Sequence, residues 1–353
     1  MREAYIYDGI RTPIGKFSGS LSFVRPDDLA SMTIKKLLEK HNTIDANEID
    51  DVILGCANQA GEDNRNVARM SLLLAGLPFT VPGETINRLC ASGMSAVINA
   101  ARAIISNEAD LILAGGVESM TRAPYVLAKS ETPFSRDVKI YDTSIGWRFI
   151  NPELQRIYGT DSMGETAENV AEKYNISRES QDIFAFNSQR KAANAQENGN
   201  FKSEIFCVEI PQKKGENIIF DKDEFVKPNT TIETLSKLKP AFKTNGTVTA
   251  GNSSGINDGA CVLLVGSEDI SKKYNLQPMT RVVSSAVVGV EPRIMGIGPV
   301  EASLKALKKA NLKFDDIDII ELNEAFAAQS LACIREWGLN DDDERINPYG
   351  GAI

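Results

Sequence analysis

The chain repeats itself, and that limits its folds more than any other feature. SMTIKKLLEKHNTIDANEIDDVILG at 31–55 parallels ASLKALKKANLKFDDIDIIEL at 302–322. Each stretch reads as an amphipathic helix, a polar connector and then a strand rich in Ile, Val and Leu. The parallel continues, with ETINRLC at 84–90 matching ERINPYG at 344–350. Self-similarity at this scale points to two halves of like fold, the alternative being chance similarity between two βα units. After the match the first half continues into a helix (92–106) and a strand (110–116). The second reaches Ile353 without them, so it is expected to be incomplete, with an unpaired sheet edge.

Helix-like and strand-like segments alternate throughout, which predicts α/β layers. Residues 27–40 have helical periodicity, and DVILG (51–55) and DLILAGG (110–116) read as short buried strands. Residues 118–250 are polar, carry charge clusters and include one helix at 178–198. They read as a loop domain inserted between the halves, where specificity often resides. The expected division is 1–117 with 251–269 as the N-terminal half, 118–250 as the loop domain, and 270–353 as a truncated C-terminal half.

A length of 353 residues suits about two domains. A formal charge of −9 without a long Lys/Arg run argues against nucleic acid as the main partner. No apolar run approaches the roughly 18 residues that a membrane span requires, and the charged N-terminus is unlike a signal peptide. The five cysteines are scattered without a CxxC pair, and one histidine cannot complete a zinc site. Reduced thiols in a cytoplasm are the simplest expectation.

Cys90, in ETINRLCASGMSAV, lies between a predicted strand and a predicted helix. A lone cysteine is commonly a small buried hydrophobe. Here Ala91, Ser92 and Gly93 would let the chain turn sharply into the helix. A thiol at a helix N-terminus faces unpaired N–H groups that favour its anion and can bind an oxyanion, each donor worth about 3 kcal/mol in a transition state. The only histidine, His41, sits in a helix–strand connector, expected at the surface and away from this chemistry. NEAFAAQ (323–329) reads as a helix start, or as an Asn placed to orient a water. GNSSGIND (251–258) is a plain loop, or a turn that lets backbone approach an extended ligand. Met163 and Met295 suit either a core or a flexible acyl pocket. GIGPV is too short for a dinucleotide fingerprint.

NRLCASG, AGGVESM, MGETAENVA, GTVTAGNSSGINDGA, VGVEPRIMGIGP and NEAFAAQ occur together in this order. The set resembles the thiolase family, the acyl-CoA C-acyltransferases, over essentially the whole chain. GCANQAGEDNRNVARM and DTSIGWRFINP resemble more particularly the branch acting on 3-oxoadipyl-CoA. The resemblance implies two α/β halves, each a five-stranded sheet between helices, and a homodimer or homotetramer. It implies no metal or redox cofactor, with coenzyme A as carrier substrate. It also implies a ping-pong reaction: Cys90 takes the acyl group, Asn323 builds an oxyanion site through a water, and Phe326, Met163 and Met295 line the pocket. Ser254 would contact the pantetheine arm, and Lys227, Thr234, Phe242 and Ala250 match CoA-contacting positions. A dicarboxylic acyl chain needs a cation, for which Arg148 is the candidate, although it could equally pack on Trp147.

The family pattern continues past GGAI into a GHP histidine and a later Cys-x-Gly thiol, and neither motif occurs here. Tyr349 also stands where the family has asparagine in NxNGG. The sequence therefore leads to an expectation of an inactive or strongly impaired chain, a fragment or pseudoenzyme. An acetoacetyl-CoA thiolase with a small acyl pocket fits the same motifs. A ketoacyl synthase is less compatible with NEAF beside NRLCASG.

Overall fold

The computed structural model describes residues 2–212 and 214–353. In chain order the strands are β1 (Tyr5–Arg11), β2 (Gly15–Lys16), β3 (Asp51–Gly55), β4 (Gly83–Ile86), β5 (Leu111–Ser119), β6 (Tyr125–Leu127), β7 (Ile140–Asp142), β8 (Val208–Ile210), β9 (Ile218–Phe220), β10 (Asn257–Gly266) and β11 (Thr280–Arg281). The helices are α1 (Pro26–Lys40), α2 (Val67–Leu74), α3 (Ser92–Ile105), α4 (Pro152–Tyr158), α5 (Met163–Lys173), α6 (Arg178–Asn198), α7 (Ile232–Ser236), α8 (Glu268–Tyr274), α9 (Gly298–Ala310) and α10 (Ala327–Glu336). Contacts gather these into two compact units. One is Met1–Ile145 with Phe201–Phe225 and Ile256–Val283; the other is Gly146–Asn200 with Val226–Gly255 and Ser284–Ile353. Segment 118–250 contributes to both.

The first unit is built on one mixed sheet in the order β11-β1-β10-β5-β3-β4, with β2 also on β10. β3 runs parallel to β4 and β5, whereas β10 is antiparallel to β5 and β1. The two-residue period of a strand divides its side chains between two cores. Val52, Leu54, Leu113 and Leu264 join Leu29, Ile34 and Leu37 of α1 and Leu72 of α2. Ile53, Ile112, Ala114 and Val265 face Ala96, Ala100, Ala101 and Ile104 of α3. Alanine on that helix face brings α3 close to the sheet.

His41 departs from its expected place at the surface. It caps the C-terminus of α1, and its Nε2 lies 2.6 Å from a carboxylate oxygen of Asp8, a buried residue of β1. The Lys40 ammonium is 2.7 Å from the same oxygen. A non-local ion pair leaves no local signature, so a polar connector of this kind reads as surface from sequence. Burial pulls the Asp8 carboxyl upward, but Lys40 and His41 outweigh it and hold it below the ordinary carboxylate value. A depressed carboxyl stabilises the fold at neutral pH and loses that contribution as pH falls through its lowered value. Asp8→Asn is expected to lose about 2 kcal/mol at pH 7. In denaturant titrations the gap to wild type should close in acid; a gap independent of pH would contradict this account.

The second unit is helical. Buried residues of α5, α6 and α10, among them Val170, Ala185, Leu331 and Ile334, form its core with Ile297, Leu322 and Ile346. Ser162 closes a capping box with Glu165 at the start of α5, and Gly199 ends α6 in the left-handed region. The five-stranded sheet expected for this half is not formed among the described residues. The predicted strand 317–322 makes one parallel bridge, Ile320 to Ile346, and Ile319 is 60% exposed. Its Ile-rich pattern fits a strand, but a ladder needs extended neighbours on its flanks, and this segment has only the stretch around Ile346.

That stretch is held by side chains. Asn347 mimics a strand partner: its Nδ2 donates to the Leu322 carbonyl at 2.9 Å and its Oδ1 accepts the Leu322 N–H at 2.7 Å. The same Nδ2 donates to the buried Glu324 carboxylate at 2.7 Å, which also accepts from Ser188 of α6. Burial pushes the Glu324 carboxyl up.

Candidate active site

Cys90 is exposed, one residue beyond a backbone turn that links β4 to α3. The small residues after it do not make the sharp turn. Leu89 does, with φ of +48° in the left-handed region. That conformation costs an L-residue about 1–2 kcal/mol and persists only where its surroundings fix it. The Leu89 N–H donates to Asn87 Oδ1 at 2.9 Å, and the Leu89 carbonyl accepts from the Ser92 hydroxyl at 2.6 Å and the Ser92 N–H at 3.0 Å. Ser92 Oγ in turn accepts the Arg88 N–H at 2.8 Å.

Beneath the turn lies a floor of glycine. Gly55, at the end of β3, and Gly116, within β5, are register partners. A Cβ on Gly55 would lie 2.2 Å from the Ser92 carbonyl carbon and 2.3 Å from the Gly93 nitrogen. A Cβ on Gly116 would lie 3.0 Å from the Gly55 oxygen, and one on Gly115 would lie 2.0 Å from the Cys261 oxygen. Backbone therefore packs on backbone where α3 begins.

Behind this floor the Glu118 carboxylate accepts the N–H groups of Ala57 at 2.8 Å and Asn58 at 3.1 Å. Burial raises its pKa, and burial likewise brings Asp63, in the same loop, to about 6. The Cys56 thiol, buried near both, is pushed up by desolvation.

The other candidate residues lie in the second unit. There the structure brings two of the sequence motifs together. Ser254 N–H donates to the Ala325 carbonyl at 3.0 Å, Ala327 N–H to the Asn252 carbonyl at 2.9 Å, and Ser253 bridges Phe326. GNSSG and NEAFA thus form one platform, from which the exposed Asn323 and the half-buried Ser254 project. The Phe326 ring meets Phe242 edge-on, with centroids 6.1 Å apart at 86°. Phe242 covers Gly164, the residue after Met163, where a Cβ would fall 2.1 Å from its ring. Met295 is half-buried in the 292–297 turn beneath α9.

The remaining candidates are more dispersed. Lys227 is tied through its backbone N–H to Gln189 of α6 at 2.6 Å. Thr234 belongs to a capping box with Thr231 at α7, and Ala250 is exposed beside the GNSSG turn. Arg148 is half-buried and pairs with no carboxylate among the described residues. Its neighbour Trp147 donates its indole N–H to the Asp161 carbonyl at 3.1 Å.

Sequence reasoning missed Asn87, Ser92 and Glu118. Asn87 left a faint signal, as an Asx residue two positions before a turn. No group of three or more His, Cys, Asp or Glu side chains among the described residues could hold a metal. None of the described helices is long and apolar enough to cross a membrane.

Comparison with known proteins accords with this architecture. The thiolase N-terminal domain matches residues 4–269, and the thiolase C-terminal domain matches residues 276–353. A beta-ketoadipyl-CoA thiolase of Acinetobacter baylyi is 57% identical over all of this chain and 88% of its own length. A 3-oxoadipyl-CoA/3-oxo-5,6-dehydrosuberyl-CoA thiolase of Escherichia coli is 56% identical over the same shares. The crystal structure of the Bacillus anthracis acetyl-CoA acetyltransferase superposes with a TM-score of 0.91 at 40% identity, covering all of this chain and 87% of that one. These matches correct two expectations. The second half is matched as a family domain in its own right, so neither its reading as incomplete nor the reading of the chain as an impaired fragment or pseudoenzyme is supported. With both domains matched along nearly its whole length, the chain belongs to the thiolase family.

Proposed function

We propose that the protein cleaves 3-oxoadipyl-CoA with coenzyme A, giving succinyl-CoA and acetyl-CoA. The observation that carries this reading is Cys90, exposed on a strained strand-to-helix turn whose backbone is fixed on both sides of the bend. Relatives named for 3-oxoadipyl-CoA, at 56–58% identity, support the choice of substrate.

The Cys90 sulfur attacks the 3-keto carbon of the substrate. The bond between C2 and C3 breaks, and its electron pair goes to C2, which takes up a proton as acetyl-CoA leaves. The succinyl group remains as a thioester on Cys90. A second CoA thiol attacks that thioester and restores the cysteine. Two steps with a covalent intermediate replace one difficult cleavage. Asn323 serves an oxyanion through a water, as a polar group projecting from the NEAFA platform. Met163, Met295, Phe242 and Phe326 provide apolar surface for the acyl-pantetheine segment. Ser254, Ala250, Thr234 and Lys227 contact CoA. No metal or redox cofactor takes part. The enzyme acts in the cytoplasm as a homodimer or homotetramer.

Arg148 pairs with the free carboxylate of the acyl chain. Arg148→Ala is expected to lower kcat/KM for 3-oxoadipyl-CoA by about 10- to 100-fold, as loss of a charge-assisted pair should, and to leave acetoacetyl-CoA within about twofold. Equal loss on both substrates would remove Arg148 from this role. The reading as a whole is tested by assaying the purified protein on both substrates and weighing the acylated enzyme. A mass gain of one succinyl group on Cys90 supports it. Acetyl transfer alone would make the protein an acetoacetyl-CoA thiolase.

A further inference from the structure

A chain of hydrogen bonds runs from the half-buried Glu118 to the backbone beside Cys90. Asn58 N–H donates to Glu118 Oε1 at 3.1 Å. The carbonyl of that same peptide unit, on Ala57, accepts from Asn87 Nδ2 at 3.0 Å. Asn87 Oδ1 then accepts the Leu89 N–H at 2.9 Å. The carboxylate polarises the Ala57–Asn58 peptide, which fixes the orientation of the Asn87 amide. The far end of that amide grips the one left-handed residue of the turn, Leu89, whose φ is +48°.

We propose that Asn87, anchored on Glu118 through the Ala57–Asn58 peptide, is a positioning residue that holds the Cys90 turn in its reactive geometry. The inference rests on the assignment of Cys90 as nucleophile. Asn87 itself touches no reacting atom. It holds Leu89 in a backbone region that leucine would otherwise leave, and so determines where the next residue presents its sulfur. Asn87 is exposed and belongs to none of the buried cores. Its removal should therefore disturb the turn and spare the fold.

The test is a double-mutant cycle between Asn87→Ala and Leu89→Gly, because glycine occupies the left-handed region without being held there. In the wild-type background Asn87→Ala should lower kcat about 30-fold, somewhat less than the roughly 100-fold that a displacement of about 1 Å can cost. KM should change by less than about twofold, and the melting temperature should hold within the few degrees typical of surface changes. In the Leu89→Gly background the same substitution should cost less than about threefold, a non-additivity diagnostic of direct coupling. Asn87→Ser keeps a weaker acceptor for the N–H two residues on, so it should lose less than Asn87→Ala. The inference is overturned by equal kcat losses in both backgrounds, by an effect on KM alone, or by serine behaving like alanine. Cys90→Ser separates the two layers. If it retains turnover, the assignment of the nucleophile has failed. If it is inactive while the Asn87 and Leu89 effects add, only the positioning role has failed.

Discussion

Cys90→Ser is expected to lose at least about three orders of magnitude in kcat, the usual scale for removing a covalent nucleophile. A serine hydroxyl is nearly isosteric but a poor nucleophile without a base poised beside it. Stability should not fall, because the side chain is exposed and fills no core. Intact-mass measurement after mixing with 3-oxoadipyl-CoA should show an acyl increment on the wild type and none on the variant. Retained turnover, or an increment located on another residue, would dismiss the covalent route through Cys90. The four other cysteines provide internal controls. Burial pushes Cys333 up to about 12 and Cys261 up to about 11, and Cys56 and Cys207 are also raised by desolvation, which disfavours the thiolate at each.

Gly55→Ala should have the largest effect on stability, about 3 kcal/mol or more, because the added methyl would meet backbone that cannot rotate away. The Ser92 carbonyl carbon and the Gly93 nitrogen can move only if the start of α3 lifts from the sheet. Activity should therefore fall together with stability. Gly93→Ala is the contrasting case. Its nearest neighbour, the Gly115 oxygen, lies 3.7 Å from the new Cβ, an ordinary contact. Alanine is the better helix former, by up to about 1 kcal/mol in a helix interior and less in this first turn, so this variant should be neutral or slightly stabilised. Denaturant unfolding of the pair separates the two cases. Similar midpoints would mean that the floor beneath the turn is looser than its distances imply.

Much of the first unit is legible in the sequence because its signals are local. The period-3.6 pattern of 27–40 and the short apolar run of DVILG mark α1 and β3 nearly to the residue. The helix at 178–198 has the observed bounds of α6. Cys90 stands out because a lone thiol followed by small residues marks a strand-to-helix turn. What stays hidden depends on partners distant in sequence. Asp8 and His41 meet across the first unit, Glu118 reaches the loop at 57–58, and Asn347 clamps Leu322. Pattern can also promise too much. IDIIEL has strand composition, yet among the described residues it forms one bridge, because propensity cannot supply a neighbour. The left-handed turn at Leu89 is illegible for a similar reason. Leucine carries no preference for it, and only the surrounding hydrogen bonds impose it.

The glycine floor also sets the directions in which this enzyme can evolve. On the sheet side of the turn, Gly55 and Gly115 leave no volume for new side chains and Gly116 leaves little, so random libraries at the first two positions should return only dead clones. On the outward side, Leu89 and Met94 are 65% and 66% exposed, with room to vary. Heritable retuning of the reaction must therefore enter from that open face, and natural variants or laboratory selections should accumulate changes there while the floor stays fixed.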